Sequence, residues 1–109
     1  MKLVMSIVQS DDAPNLVDQL VAVGYRVTRI NTAGGFLRQG NDTILLGVDD
    51  DQTGQVLGII GVNCHTRLAY MNPMIVGSDV GDFAAMGPVE VQVGGAVTWI
   101  FDVEQVVRL

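Results

Sequence analysis

The chain has 109 residues, of which 49% are apolar and 17% charged, and its net charge is −6. This length is typical of one domain, and the apolar fraction excludes a disordered chain. The negative charge and the lack of a strongly basic stretch disfavour binding to a nucleic-acid polymer, which requires clustered Lys and Arg. We therefore expect a single domain over residues 1–109.

The first predicted elements are a strand and a helix. Apolar residues alternate through residues 1–9, which predicts a strand with apolar side chains on both faces. Asp11 and Asp12 can supply N-capping oxygens, and Pro14 suits the first turn of a helix. Gly24 is a typical C-terminal stop for that helix.

Two strands joined by a glycine-rich turn come next. Residues 25–31 and 43–48 have the composition of strands, and the turn between them covers residues 32–41. Because these strands are close in sequence, we expect an antiparallel hairpin.

The second predicted helix follows three aspartates, Asp49 to Asp51, which stabilise a helix N-terminus through its dipole. Gly54, Gly58 and Gly61 share one face of this helix, which indicates either a tolerated weakness or close packing against a neighbour. Residues 64–87 show no clear period and are expected to form a long loop, of a length that is usually functional or mobile.

Residues 88–93 and 96–103 predict two further strands, with a tight turn at Gly94-Gly95. The order is β-α-β-β-α-β with an extra C-terminal strand, a ferredoxin-like α+β arrangement. Both helices would then cover one face of the sheet, although the strands are apolar on both faces. An apolar second face has to be buried, so we expect a homo-oligomer.

The positive charge is concentrated around the turn. Arg26, Arg29 and Arg38 lie within residues 25–41, which contain no Asp or Glu. Such a stretch in an acidic protein indicates an anionic ligand, because glycine backbone N–H groups and arginine forks both suit phosphate. Since Arg26 and Arg29 alternate across a strand, we expect only Arg26 to face the ligand.

The tip of the turn carries an aromatic residue, Phe36. An aromatic side chain in a polar turn needs a packing partner. A nucleobase is one candidate, since bases stack on aromatic side chains, and a neighbouring subunit is the alternative. An ordinary hairpin turn without a ligand remains the simplest interpretation of the glycines alone.

Several motifs of the chain resemble the PII-like cyclic-di-AMP receptor family, and the similarity extends over nearly its whole length. They are Arg26-Val27-Thr28, Thr32-Ala33-Gly34-Gly35-Phe36-Leu37-Arg38-Gln39-Gly40-Asn41, Gly47-Val48-Asp49-Asp50 and residues 88–96.

This resemblance implies a PII-like homotrimer with a ferredoxin-like fold that binds cyclic-di-AMP between its subunits. Such a protein is a cytoplasmic signalling receptor, not an enzyme, and its loops rearrange when the ligand binds. It requires no cofactor and has a downstream protein partner that the sequence does not identify.

The resemblance also assigns roles to individual residues. Arg26 and Thr28 would hold phosphate and polar edges, and the backbone around Gly35, Phe36 and Leu37 would cradle one nucleotide. Asn41 would read a base edge, and Gly47 would leave room for the ligand. Trp99 would line a base pocket as a residue of the neighbouring subunit.

Two positions depart from the family pattern. Gly24 stands where relatives often have Asn, and Arg108 replaces a neutral polar residue near the site. An extra cation could favour a phosphate or change the choice of ligand. The alternative function is therefore a PII-like trimeric scaffold that binds ATP or ADP, or a protein partner only.

Catalytic chemistry is disfavoured. Cys64-His65 is the one Cys/His pair, but adjacent side chains usually point apart, and two ligands cannot complete a zinc site within one chain. We predict no catalytic residue and no metal ligand. A single cysteine forms no internal disulfide, which fits the cytoplasm, and no apolar run reaches the ~20 residues of a membrane span.

Overall fold

The computed structural model describes residues 1–31, 40–71 and 89–109. The elements in this part of the chain are β1 (Lys2–Gln9), α1 (Ala13–Val23), β2 (Thr28–Asn31), β3 (Asn41–Val48), α2 (Thr53–Cys64), β4 (Arg67–Met71), β5 (Val89–Val93) and β6 (Ala96–Asp102). One turn of 3₁₀ helix, Asp50–Gln52, precedes α2. Both predicted helices are confirmed, and β2 begins three residues later than predicted.

Four of the strands form an antiparallel sheet in the order β2-β3-β1-β6. At its centre, Met5 of β1 lies opposite Leu45 of β3 and Trp99 of β6. The predicted hairpin of β2 and β3 is confirmed, with Thr28 opposite Leu45. The two helices and this antiparallel sheet agree with a ferredoxin-like fold.

The two helices pack on one face of the sheet. Leu16 and Leu20 of α1, and Val56 and Ile60 of α2, are buried at i, i+4 spacing. They meet the alternate side chains of the sheet that point toward them, which are Val4, Val8, Ile44, Leu46 and Val48. α1 ends as predicted at Gly24, whose φ of 112° lies in the left-handed region.

The other face of the sheet has no helix against it in the described part of the chain. Since side chains alternate along a strand, the residues between the core positions point to this open face. β1 and β6 contribute Leu3, Met5, Ile7, Val97, Trp99 and Phe101. Trp99 is 41% exposed and Phe101 45% exposed, which confirms the predicted bare apolar face.

The region after α2 differs from the prediction. The sequence predicts a loop from residue 64, whereas Arg67–Met71 forms β4 and pairs with β5 in a separate two-stranded sheet. Both predicted C-terminal strands are confirmed as β5 and β6, but β6 takes the fourth place in the main sheet, so its assignment as the extra strand is wrong. The additional strands are inserted before β6. A five-residue strand is too short to give a clear period in sequence.

Gly94 and Gly95 join the two sheets. Both have positive φ, 83° and 92°, but they connect strands of different sheets instead of closing the predicted hairpin turn. The Gly94 N–H donates to Oε1 of Gln9 at 2.8 Å, and the Gly95 N–H donates to the Cys64 carbonyl. A Cβ at Gly94 would collide with the His65 carbonyl, so this junction requires glycine.

The predicted capping role of Asp12 is wrong. Its side chain makes no capping hydrogen bond and instead accepts from Nη2 of Arg67 at 2.8 Å. Asp12 is only 6% exposed, and a buried carboxylate is satisfied best by an opposite charge. The acidic residues before α2 lie at the 3₁₀ turn, where Asp49 forms a capping box with Gln52, and α2 itself has no acidic residue in its first turn.

Candidate ligand-binding site

An open cavity of about 530 Å³ lies at the end of the main sheet where β1 begins and β3 ends. We call it the arginine cavity. Its walls come from the segment after α1, the end of β3, the start of α2 and both ends of the chain. The lining includes Met1, Gly24, Tyr25, Arg26, Gly47, Asp49, Gln52, Gln55, Val106 and Arg108.

The wall that carries Arg26 is fixed by its neighbour. Tyr25 is buried, and its hydroxyl donates to Oε1 of Gln55 on α2 at 2.5 Å. Val27 also packs against the core. Because the flanking side chains both point to the helix-covered face, we expect that of Arg26 to point to the other side.

Arg26 and Arg108 are the two cations of the arginine cavity. Both are exposed, and neither has a hydrogen bond or ion pair within residues 1–31, 40–71 and 89–109. An arginine fork that no carboxylate occupies is available to a phosphate.

Gly47 lies in the same cavity near the end of β3, opposite Leu3 of β1. A Cβ added at Gly47 would have no atom within 4 Å. Packing within the described part of the protein therefore does not require glycine here, which agrees with a residue that leaves space for a ligand.

The acidic residues of this end are already engaged. The Asp49 carboxylate, which also lines the cavity, accepts the Gln52 backbone N–H in the capping box. Asp50 pairs with the Met1 ammonium group at 3.0 Å. Neither acid forms an ion pair with Arg26 or Arg108, and the two arginine charges exceed the single negative charge that Asp49 adds to the cavity lining.

Arg29 does not join the arginine cavity. It pairs with Asp42, which is completely buried and also accepts the Ser10 hydroxyl at 2.7 Å. The positive charge predicted for residues 25–41 is therefore reduced, because Asp42 neutralises Arg29. Asp42 lies immediately after the acid-free stretch, and a carboxylate at the start of the facing strand was the signal that could have revealed this pair. Arg38 lies outside the described residues.

The remaining predicted site residues do not converge within one chain. Thr28 is exposed and shares the open side of the sheet with Leu45. Asn41 is at the opposite end of β3 from Gly47, about 20 Å away at the usual strand rise. It lines a second cavity of about 370 Å³.

Trp99 is on the open face of the sheet and does not line the arginine cavity of its own chain. Gly35, Phe36 and Leu37 lie outside the described residues. The cavity also contains Tyr25, Gln52 and Gln55, which no sequence pattern marks as site residues, because their position depends on packing between α1 and α2.

Cys64 and His65 do not form a nucleophilic pair. Cys64 is buried, and burial raises the pKa of its thiol to about 11, with a smaller contribution from the charge of Asp12. The thiol is therefore protonated near neutral pH. Nδ1 of His65 lies 3.2 Å from the Val62 carbonyl, on the exposed side. Within the described ranges no group of His, Cys, Asp and Glu could hold a metal ion.

Comparison with known proteins identifies a family for the chain. The family model of the cyclic-di-AMP receptor matches residues 1–109. The chain belongs to the cyclic-di-AMP receptor family. A crystal structure of a functionally unknown protein from Pediococcus pentosaceus ATCC 25745 is 38% identical, with a TM-score of 0.75, over 99% of this chain and 96% of that one.

Membership of this PII-like receptor family supports a role in binding cyclic-di-AMP and suggests a binding protein instead of an enzyme. None of the described helices is long and apolar enough to cross a membrane.

Proposed function

We propose that this protein is a cytoplasmic signalling receptor that binds cyclic-di-AMP between the subunits of a homotrimer and transmits binding through loop rearrangement. The observation that carries the proposal is that Arg26, which has no partner among the described residues, shares a cavity of nucleotide size with Gly47, in a chain of the cyclic-di-AMP receptor family.

Arg26 supplies the phosphate contact in this proposal. Its guanidinium matches the geometry of a phosphodiester oxygen pair, and no carboxylate competes for it in the described part of the chain. Gly47 leaves the adjacent strand surface open, so a ligand can lie against the backbone of β3. Thr28 provides a hydroxyl on the open side of β2.

A second copy of the chain would complete the site. The open face of the sheet exposes Trp99 and Phe101, and burying such a face favours association. Asn41 and Trp99 do not reach the arginine cavity of their own subunit, so their predicted ligand contacts require a neighbouring one. Gly35, Phe36 and Leu37 stay in the proposal as the nucleotide cradle.

Calorimetric titration tests the ligand. We expect cyclic-di-AMP to release or absorb measurable heat and to bind more tightly than cyclic-di-GMP, ATP or ADP. No heat and no thermal stabilisation with cyclic-di-AMP would contradict the specific function. Tighter binding of ATP or ADP would support the alternative of a PII-like scaffold for another nucleotide.

Light scattering tests the assembly. We expect a mass of three chains at micromolar concentration, with or without ligand. Trp99→Ser should weaken ligand binding if this side chain reaches a site on the next subunit. A monomer in the presence of saturating ligand would contradict a shared site.

A further inference from the structure

The strands β4 and β5 pair with each other and belong to no larger sheet in the described part of the chain. We call this pair the ribbon. None of its described side chains, Arg67, Leu68, Gln92 and Val93, belongs to the apolar core. Because a two-stranded ribbon is only marginally stable by itself in water, contacts outside the ribbon have to fix its orientation.

Both strands of the ribbon are bonded to a single turn, residues 9–12, which joins β1 to α1. Two nitrogens of Arg67, the first residue of β4, donate to the Asp12 carboxylate, Nη2 at 2.8 Å and Nη1 at 3.5 Å. The Gly94 N–H, directly after β5, donates to Oε1 of Gln9 at 2.8 Å. The Asp12 N–H closes the turn by donating to the Gln9 carbonyl at 2.9 Å. The turn therefore holds the two strands at the same end of the ribbon.

The connections between the ribbon and the rest of the chain are short. Only His65 and Thr66 separate α2 from β4, and only Gly94 and Gly95 separate β5 from β6. Two successive glycines give the backbone wide conformational freedom, so these connections alone do not fix the angle of the ribbon. The bonds from Gln9 and Asp12 fix it in this structure.

We propose that the turn of residues 9–12 is a clasp that sets the orientation of the ribbon through Gln9 and Asp12, and that filling the cavity beside Gln9 changes this orientation. That cavity, of about 370 Å³, has walls from the main sheet and from the base of the ribbon, including Gln9, Asn41, Thr66, Gly94 and Gly95. The clasp does not depend on the identity of a ligand. Its response to cyclic-di-AMP rests on the proposed function.

The shared walls explain why the cavity and the ribbon are coupled. Gln9 lies opposite Asn41 in the pairing of β1 with β3, and its side chain also accepts the Gly94 N–H. A rotation of the ribbon therefore changes the shape of the cavity. An occupant that fits one shape better than the other shifts the ribbon toward that orientation.

Hydrogen exchange of the ligand-free protein, followed by mass spectrometry, tests the clasp. We expect Arg67→Met combined with Asp12→Asn to speed the exchange of the ribbon amides at least about tenfold and to leave β1 and β3 unchanged. The double variant avoids the unpaired buried charge that Arg67→Met alone would create. Lys2→Met combined with Asp102→Asn is the matched control, because it removes an ion pair outside the ribbon. Equal ribbon exchange in the wild type and the first double variant would overturn the clasp.

Two substitutions of Gln9 test the other bond of the clasp without removing a charge. Gln9→Leu removes the acceptor of the Gly94 N–H, and we expect this amide to exchange at least about fivefold faster in NMR measurements. Gln9→Glu keeps an acceptor oxygen and should restore exchange close to that of the wild type. Equal rates at Gly94 in the two variants would overturn the role of Gln9.

Cyclic-di-AMP then separates the clasp from the proposed function. We expect a saturating concentration to change the exchange of the ribbon amides at least about threefold in the wild type. Binding heat with unchanged ribbon exchange would overturn the coupling between cavity and ribbon. If the ligand-free variants behave as expected and the wild type shows no binding heat, the proposed function fails while the clasp stands.

Discussion

The two ends of the main sheet use arginine in opposite ways. Where β1 ends, Arg29 and Arg67 pair with Asp42 and Asp12, two carboxylates that are almost completely buried. Where β1 begins, Arg26 shares a cavity with Arg108 and has no partner in the described part of the chain. Arg26 and Arg29 are only three positions apart in sequence. Because side chains alternate along an extended chain, this odd spacing directs the two arginines to opposite faces of the sheet.

This difference indicates that different arginines of the chain serve stability and ligand binding. A buried carboxylate that loses its partner is strongly destabilising, so the paired arginines are committed to the fold. An exposed arginine without a partner contributes little to stability and remains available to a ligand. Substitutions at the two ends should therefore change different measurable quantities.

The largest effect on stability is expected at the end of the main sheet where Arg29 and Arg67 pair with aspartates. Arg29→Met leaves the fully buried Asp42 with the Ser10 hydroxyl as its remaining partner among the described side chains, and we expect the free energy of unfolding to fall by about 2–3 kcal/mol. Arg26→Met should change it by less than about 0.5 kcal/mol. Urea unfolding without ligand, at one protein concentration, gives both values.

A second substitution sharpens this result. Asp42→Asn in the Arg29→Met background removes the unpaired charge, so it should recover part of the lost stability. Equal unfolding free energies for Arg29→Met and Arg26→Met would show that the two arginines are not distinguished by their faces of the sheet.

At the cavity end, Gly47→Val should reduce binding without reducing stability. The Cβ of the new side chain would have no described protein atom within 4 Å, but the side chain would occupy ligand space and weaken cyclic-di-AMP binding by about tenfold or more. Gly58→Val is the control, because Gly58 is equally unobstructed and lies on α2 outside the cavity lining. Unchanged affinity in Gly47→Val would separate Gly47 from the site.

Cys64 should make the stability of the protein depend on pH in the alkaline range. Its folded pKa, raised from about 9 to about 11, means that folding disfavours the thiolate. The stabilising contribution is therefore complete below pH 9 and is lost as pH rises from about 9 to about 11, by at most about 1.4 kcal/mol per pH unit. Unfolding at pH 8 to 11 should show a flatter profile for Cys64→Ala than for the wild type. Parallel profiles would contradict the shift.

The smallest effect is expected at Gly24. This residue has a left-handed backbone and lines the arginine cavity. Asn tolerates that conformation better than most residues, so Gly24→Asn should keep the fold and tighten cyclic-di-AMP binding about 2- to 10-fold through a new amide contact. Gly24→Ala is the control, with strain and no new hydrogen bond. Equal affinities of the two variants would exclude an amide contact at position 24.

Local patterns in the sequence predicted much of this structure. Pro14 and Gly24 mark the limits of α1, and alternation marks β1 and β3 well. The errors have one physical cause, which is contact between residues distant in sequence. Asp12 caps no helix because Arg67, fifty-five positions later, pairs with it. The β4 strand exists through its pairing with β5.

The same limit applies to the site. Local alternation predicts the face on which Arg26 lies, and family motifs predict Gly47 as a site residue. The charge of Arg29 could not be judged without its pairing to Asp42. The proximity of Arg108 to Arg26 depends on where the C-terminal segment lies after β6, which no period or spacing specifies.

Calorimetric titration of cyclic-di-AMP into wild type, Arg26→Ala and Arg29→Ala tests most directly whether Arg26 binds the ligand while Arg29 stabilises the fold. Each variant is first checked to be folded at the working temperature. We expect the wild type to bind, Arg29→Ala to bind with an affinity within about threefold of it, and Arg26→Ala to lose about 10- to 100-fold. Equal losses in the two variants, or no binding by the wild type, would contradict the assignment of the ligand to the unpaired arginines.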